Sequence, residues 1–104
     1  MRLTVKIWSS LSGLFGPEIT RSRTLEVEVP TGATLLDLLR QLGDRYPAFG
    51  RVMFDPVSGE PGDEVAVVVN DRLPELLAGY ATPLAEGDRV TLVQAYAGGS
   101  LEGR

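Results

Sequence analysis

Leu3, Val5 and Ile7 alternate with Arg2, Thr4 and Lys6, and Leu25, Val27 and Val29 alternate with Thr24, Glu26 and Glu28. A period of two sends successive side chains to opposite faces, so each stretch predicts a half-buried β-strand. Residues 9–23 between them are rich in Ser and Gly, include Pro17, and read as the long turn of a hairpin without an element of its own. The period then changes. Leu35, Leu38, Leu39 and Leu42 share one face at helical spacing and predict an amphipathic helix over 34–45. Thr34 supplies its N-cap and Asp37 an acidic first turn, although a capping box usually carries Glu or Gln there. Gly43 weakens the last turn, and Tyr46-Pro47 ends the helix, because a residue before proline avoids the α region.

Residues 52–63, with Pro56, Gly59, Pro61 and Gly62, read as an irregular loop. Glu64–Asn70 is the most apolar strand and is expected at the centre of a sheet, buried on both faces. Asn70-Asp71 signals a turn. Pro74–Gly79 fits either a short helical turn or an edge strand. Leu84-Ala85-Glu86-Gly87-Asp88 reads as a tight turn into a last strand over 89–95. Strand, strand, helix, strand, short element, strand is the order of a two-layer α+β roll, in a single domain.

Composition narrows the chemistry more than the class. The chain of 104 residues has mean hydropathy +0.04 and no Cys or His. Disulfides, thiolate nucleophiles, imidazole acid–base catalysis and the usual zinc ligand sets are therefore excluded, and no metal site is expected. A net charge of −4 and pI near 4.7 argue against a protein that binds nucleic-acid backbones. No run approaches the roughly 20 apolar residues that cross a bilayer. Met1–Trp8 carries charge within its apolar stretch and lacks a small-residue cleavage site, so a cytoplasmic location is expected. The ten cationic residues include one lysine, Lys6, an arginine bias attributable to composition. No pair of carboxylates is placed for acid–base work.

The last strand runs into Ala95-Tyr96-Ala97-Gly98-Gly99. Two glycines in succession let a backbone pass a narrow channel in almost any conformation. Together with Val29-Pro30-Thr31-Gly32-Ala33-Thr34, Arg45-Tyr46-Pro47, Val67–Asp71 and Thr82–Val90, this ending resembles the MoaD/ThiS family of ubiquitin-like sulfur carriers. The length to Gly99 resembles the molybdopterin-type members more than the thiamine-type ones. The resemblance implies a ubiquitin-like β-grasp: a mixed four- to five-stranded sheet with one main helix packed across it and the first and last strands side by side. It implies a single domain over 1–97 and a flexible tail over 98–104.

In that family an E1-like enzyme uses ATP to adenylate the terminal glycine carboxylate, and a sulfur donor displaces AMP to leave a thiocarboxylate. Carried over, the carboxyl of Gly99 is the reactive group, with Tyr96, Ala97, Gly98 and Gly99 as the tail that enters a partner. Residues 95–99 would reach roughly 16 Å when extended. The implied partners are the E1-like enzyme, the sulfur donor, a larger molybdopterin-synthase-type subunit and a peptidase that removes residues 100–104. The resemblance implies no bound cofactor, ATP being used by the activating enzyme. The protein is then a cosubstrate rather than a stand-alone enzyme, with molybdenum or tungsten cofactor assembly as the first expectation. Thiamine, cysteine or tRNA thiolation, protein tagging, or a β-grasp interaction module without covalent chemistry are the alternatives.

Ser100–Arg104 departs from the family, which ends at the second glycine. It is read as a processed extension, as the mark of a branch without sulfur transfer, or as an appended linker, which Leu-Glu-Gly-Arg resembles. Trp8 and Phe15 are candidates for an apolar partner surface. Glu26, Glu28, Asp63 and Glu64 could meet a basic partner but read more simply as solvated charges.

Overall fold

A computed structural model describes residues 1–16, 22–62, 64–72 and 79–95. Strands β1 (Arg2–Ile7), β2 (Arg23–Glu28), β3 (Val65–Val69) and β4 (Arg89–Gln94) form one sheet in the order β2-β1-β4-β3. β1 pairs antiparallel with β2 and parallel with β4, from Thr4 opposite Arg89 to Ile7 opposite Leu92. The first and last strands therefore lie side by side in the middle, as expected of a β-grasp. Leu3, Val5, Ile7, Val90 and Leu92 have no measurable exposure and form the floor of the core. Helix α2 (Leu35–Arg45) lays Leu35, Leu38, Leu39 and Leu42 on that floor, all buried.

The start of α2 is doubly fixed. The Thr34 hydroxyl accepts from the Asp37 amide at 3.3 Å, and the Asp37 carboxylate accepts from the Thr34 amide at 2.9 Å. Aspartate thus closes the capping box that usually takes a longer acid. The Leu35 amide, otherwise unpartnered at a helix start, donates to the Thr82 carbonyl at 2.9 Å, and the Leu84 amide returns to Ala33 at 3.0 Å. The helix is so tied to the segment that precedes β4.

Three expectations are corrected. First, residues 9–16 are not plain turn: α1 (Ser9–Ser12) and a 3₁₀ turn (Gly13–Phe15) follow β1. Leu11 and Phe15, one helical turn apart, are buried and pin this segment to the core despite its loop-like composition. Second, Pro47 does end α2, but it also opens a further helix, α3 (Pro47–Met53). Proline suits a first helical turn, whose amide has no partner to lose. The irregular loop accordingly begins at Phe54 rather than at residue 52. Third, β3 is at the edge of the sheet rather than its centre. Val65, Val67 and Val69 are buried, while Ala66 and Val68 are half-buried on the opposite face. The Pro74–Ala78 stretch lies outside the described residues.

The turn signals hold. Asn70 and Asp71 take positive φ of 49° and 68°, and Val69 and Arg72 exchange backbone hydrogen bonds of 2.8 and 2.9 Å around them. The Asn70 side chain accepts from the Arg89 amide at 2.9 Å and donates to Asp88 at 3.0 Å, binding this turn to the entry of β4. Among the described residues no helix is long and apolar enough to cross a membrane.

Gly43 does more than weaken a helix. A Cβ on Gly50 would stand 2.9 Å from the Gly43 carbonyl oxygen, so α2 and α3 meet backbone to backbone. Gly50→Ala should destabilise the protein by roughly 1–3 kcal/mol through overpacking, although alanine is the better helix former by about 1 kcal/mol. Urea unfolding checks it; a stabilised variant would contradict the close approach.

The loop after α3 is organised by Asp55. Its carboxylate accepts from the amides of Val57 at 2.7 Å and Ser58 at 3.1 Å, which holds its carboxyl below the usual carboxylate range. A depressed folded value means that the contribution is full above the ordinary carboxylate range and is lost as pH falls through the folded value. The Val57 and Ser58 amide resonances should therefore move together on acidification, with a midpoint below that of an unstructured aspartate. A midpoint at or above it would contradict the turn.

Candidate functional site

Tyr96, Ala97, Gly98 and Gly99 lie outside the described residues, as do Asp63 and the Ser100–Arg104 extension. The described part of the site is the platform from which that segment departs. β4 is held on both sides up to Leu92, whose carbonyl accepts from the Trp8 amide at 3.0 Å. Beyond it, β1 turns away into α1. Val93 and Gln94 keep only β3 as a ladder partner, opposite Ala66 and Val65. The Ala95 amide adds one more bond, to the Glu64 carbonyl at 3.0 Å. This one-sided ladder is followed as far as Ala95, the last described residue before the Tyr96–Gly99 segment.

Burial falls off along the end of β4. Leu92 is wholly buried, while Val93 is half-buried and Gln94 exposed. α1 fills the space past the end of β1, with the Leu11 amide donating to the Trp8 carbonyl at 2.9 Å and the Ser12 hydroxyl to Ser9 at 3.0 Å.

Among the described residues, the side chains on the sheet face opposite α2 are exposed or half-buried, and this is called the open face. Strand pairing places Thr24, Thr4 or Lys6, Thr91 or Arg89, and Ala66 or Val68 across it. The same alternation continues to Trp8, 52% exposed and one residue past the Ile7–Leu92 pair that ends the β1–β4 ladder. Trp8, Val93, Ala66 and Val68 thus give the exit end of this face an apolar character. The other end is charged. Arg2 lies 3.5 Å from Glu28 and 3.9 Å from Glu26, and Arg89 lies 3.2 Å from Asp71. All these ion pairs are exposed and each contributes little to stability. Glu26 and Glu28 are partly neutralised within the chain and are less free to meet a basic partner than a bare acidic pair.

The two aromatic candidates separate. Trp8 is on the open face. Phe15 is 4% exposed, packed against Tyr46 and Phe49 with ring centroids 4.8 and 4.9 Å away. Phe15 is a core residue and cannot share a surface with Trp8, since its ring fills the junction of the 3₁₀ turn and α3. Val93, Ala66 and Val68 were not singled out from sequence. Their signal was the alternation in β3 and β4, concealed by an uninterrupted apolar run. Among the described residues no group of three His, Cys, Asp or Glu could hold a metal ion.

A model of the ThiS family matches residues 13–99 of this chain, ending at Gly99. The sulfur carrier protein CysO of Mycobacterium bovis is 36% identical over 70 residues, covering 66% of this chain and 75% of the relative. The crystal structure of SAMP1 from Haloferax volcanii superimposes with TM-score 0.75 at 28% identity, over 95% of this chain and all of the other. A chain of the Amycolatopsis orientalis BexX/CysO complex does so with TM-score 0.68 at 26% identity, over 93% and 99%.

Trp8→Ala should change stability by no more than about 0.5 kcal/mol, as an exposed site allows, whereas Phe15→Ala should cost about 3–5 kcal/mol. Thermal or urea unfolding of the two variants checks this assignment; equal losses would contradict it.

Proposed function

The chain belongs to the ThiS family, and on that premise we propose that it is a sulfur carrier whose working group is the carboxyl of Gly99, freed by hydrolysis of the Gly99–Ser100 bond. Residues 1–97 are then the body and 98–104 the tail, of which Gly98 and Gly99 remain once 100–104 are removed. The observation that carries this reading is the family match, which stops at Gly99, five residues past the end of β4 at Gln94. A chain without Cys or His has no side-chain thiol for sulfur and no imidazole to activate one. Its terminus supplies what its side chains lack.

The chemistry follows in two steps. The Gly99 carboxylate attacks the α-phosphorus of ATP on an E1-like adenylating enzyme and releases pyrophosphate. A donor of hydrosulfide then adds through sulfur to the acyl carbon, the bond from that carbon to the AMP oxygen breaks, the sulfur proton passes to solvent, and a thiocarboxylate remains. Glycine at 98 and 99 lets the backbone lie flat against the enzyme where a Cβ would collide. Four residues past Ala95 span at most about 13–14 Å, so the reacting atoms can enter a pocket while the body stays outside. The exposed Trp8 and its half-buried neighbours Val93, Ala66 and Val68 suit the docking of that body, because an aromatic anchor beside aliphatic groups can be desolvated at little polar cost. The BexX/CysO complex supports a partner-bound mode for this kind of protein.

For the recipient of the sulfur we keep the pterin precursor of molybdenum or tungsten cofactor assembly, together with a larger synthase-type subunit. The length to Gly99 supports it. Loss of the sulfur from the thiocarboxylate form on mixing with these two, read by intact mass, is the expected result. Retention would move the recipient to the thiamine, cysteine or tRNA class.

Protein recovered from its own host should lack Ser100–Arg104 and carry a mass gain equal to exchange of one oxygen for sulfur. A mass fixed at the full-length value under sulfur-replete growth would overturn the carrier reading. In the processed form, Gly99→Ala should leave the unfolding transition unchanged and slow activation. Unaltered activation would show that the channel does not need glycine there.

A further inference from the structure

The open face holds one group that sulfur carriage does not use. Lys6 is the sole lysine of the chain, and the other nine cations are arginines. A guanidinium stays protonated in proteins and is no acyl acceptor, whereas a lysine amine can lose its proton and attack a carbonyl. The other amine is the α-amino group of Met1. It donates to the Val29 carbonyl at 2.7 Å and lies 3.7 Å from the Glu28 carboxylate. The Val29 amide donates back to the Met1 carbonyl at 2.9 Å, so this end is stitched to the residue that directly follows β2. Lys6 differs in every respect. It is exposed in mid-strand, flanked by Thr24 and Thr91 on its own face, and among the described residues no carboxylate pairs with it. An open cleft of about 220 Å³ adjoins it, lined by Lys6, Trp8, Ser9 and Ser22. This is room for a terminus without side chains, with two hydroxyls able to donate to its carbonyl oxygens and an indole wall to one side.

We propose that Lys6 is an acyl-acceptor site: the activated carboxyl of Gly99 in one copy forms an isopeptide bond with Lys6 Nζ of a second copy. This rests on the reading of Gly99 as a carboxyl activated by ATP. The adenylate forms as above, with release of pyrophosphate. Unprotonated Nζ adds to the acyl carbon, the bond from that carbon to the AMP oxygen breaks, and the amine proton passes to solvent. Nothing is oxidised or reduced. Because each chain offers one lysine and one terminus, linked copies can only be unbranched and of a single linkage. The receiving copy keeps its own Gly99 but has Trp8 and the exit end of its open face beneath the attached chain. Linkage and docking on that face therefore compete.

Full-length protein with an amino-terminal tag, expressed in its own host and purified under denaturing conditions, tests this. A species of twice the processed mass less one water is expected. Trypsin should release Leu3–Arg21 uncut at Lys6 and bearing the branch Val90–Gly99, since Arg89 is the last cleavage site before the terminus. Lys6→Arg keeps the charge and removes the amine, and the doubled species should disappear. The thiocarboxylate on Gly99 is read in the same wild-type sample. If it is present with no branch on Lys6, the acceptor site is overturned while the carrier reading stands. If Gly99 is never activated, both fall. A doubled species that survives Lys6→Arg, or a linked product of single-chain mass less one water, also overturns the two-copy linkage at Lys6.

Discussion

The parallel pairing of β1 with β4 is the constraint on which the rest depends. Two parallel neighbours cannot be joined by a tight turn, so everything between Ile7 and Arg89 has to cross over and return. That crossover carries β2, both longer helices and β3, and it places α2 across one face. It also sets the site. Because β1 and β4 run in the same direction, the end of β1 lies beside the last residues of β4. β1 turns aside at Trp8 while β4 continues to Ala95 on a single ladder. The junction gives one exposed aromatic and one outgoing strand, side by side.

The body is otherwise chemically quiet. Its core is one cluster of aliphatic and aromatic side chains, with Ser12 and Thr82 as the buried polar residues among those described. The Asp55 carboxyl, held below the usual carboxylate range by the Val57 and Ser58 amides, organises a loop after α3. In the proposed carrier role, a scaffold of this kind would contribute rigidity and a docking surface and leave bond-making to whatever holds its terminus. The same reasoning explains why an amine on that surface matters: an activated acyl group brought to a protein without thiols or imidazoles meets Lys6 as its one exposed amine.

Local features were legible from sequence because their causes are local. The alternation of β1 and β2, the leucine face of α2, its Thr34 cap and the Asn70-Asp71 turn each depend on residues within one or two turns of chain. What was not legible depends on distant partners. The valine run of β3 reads as a central strand, and only the sheet order reveals that Ala66 and Val68 face outward at an edge. Pro47 stops one helix and starts the next with the same ring. Gly43 looks like a flaw until Gly50 is brought against it. Of the candidate site, the Gly98-Gly99 pattern is visible in the residues alone, whereas the separation of Trp8 from Phe15 required the packing of Phe15 between Tyr46 and Phe49.

The central claim is that a carboxyl at Gly99, and no other group of the chain, is what an activating enzyme recognises. ATP–pyrophosphate exchange by the host's E1-like enzyme measures this directly, comparing the chain that ends at Gly99 with the full-length chain. Both should unfold alike, because every described core residue lies between Leu3 and Leu92. Exchange with the shortened chain and none with the full-length one is the predicted result. Equal exchange with both, or none with either, would contradict it.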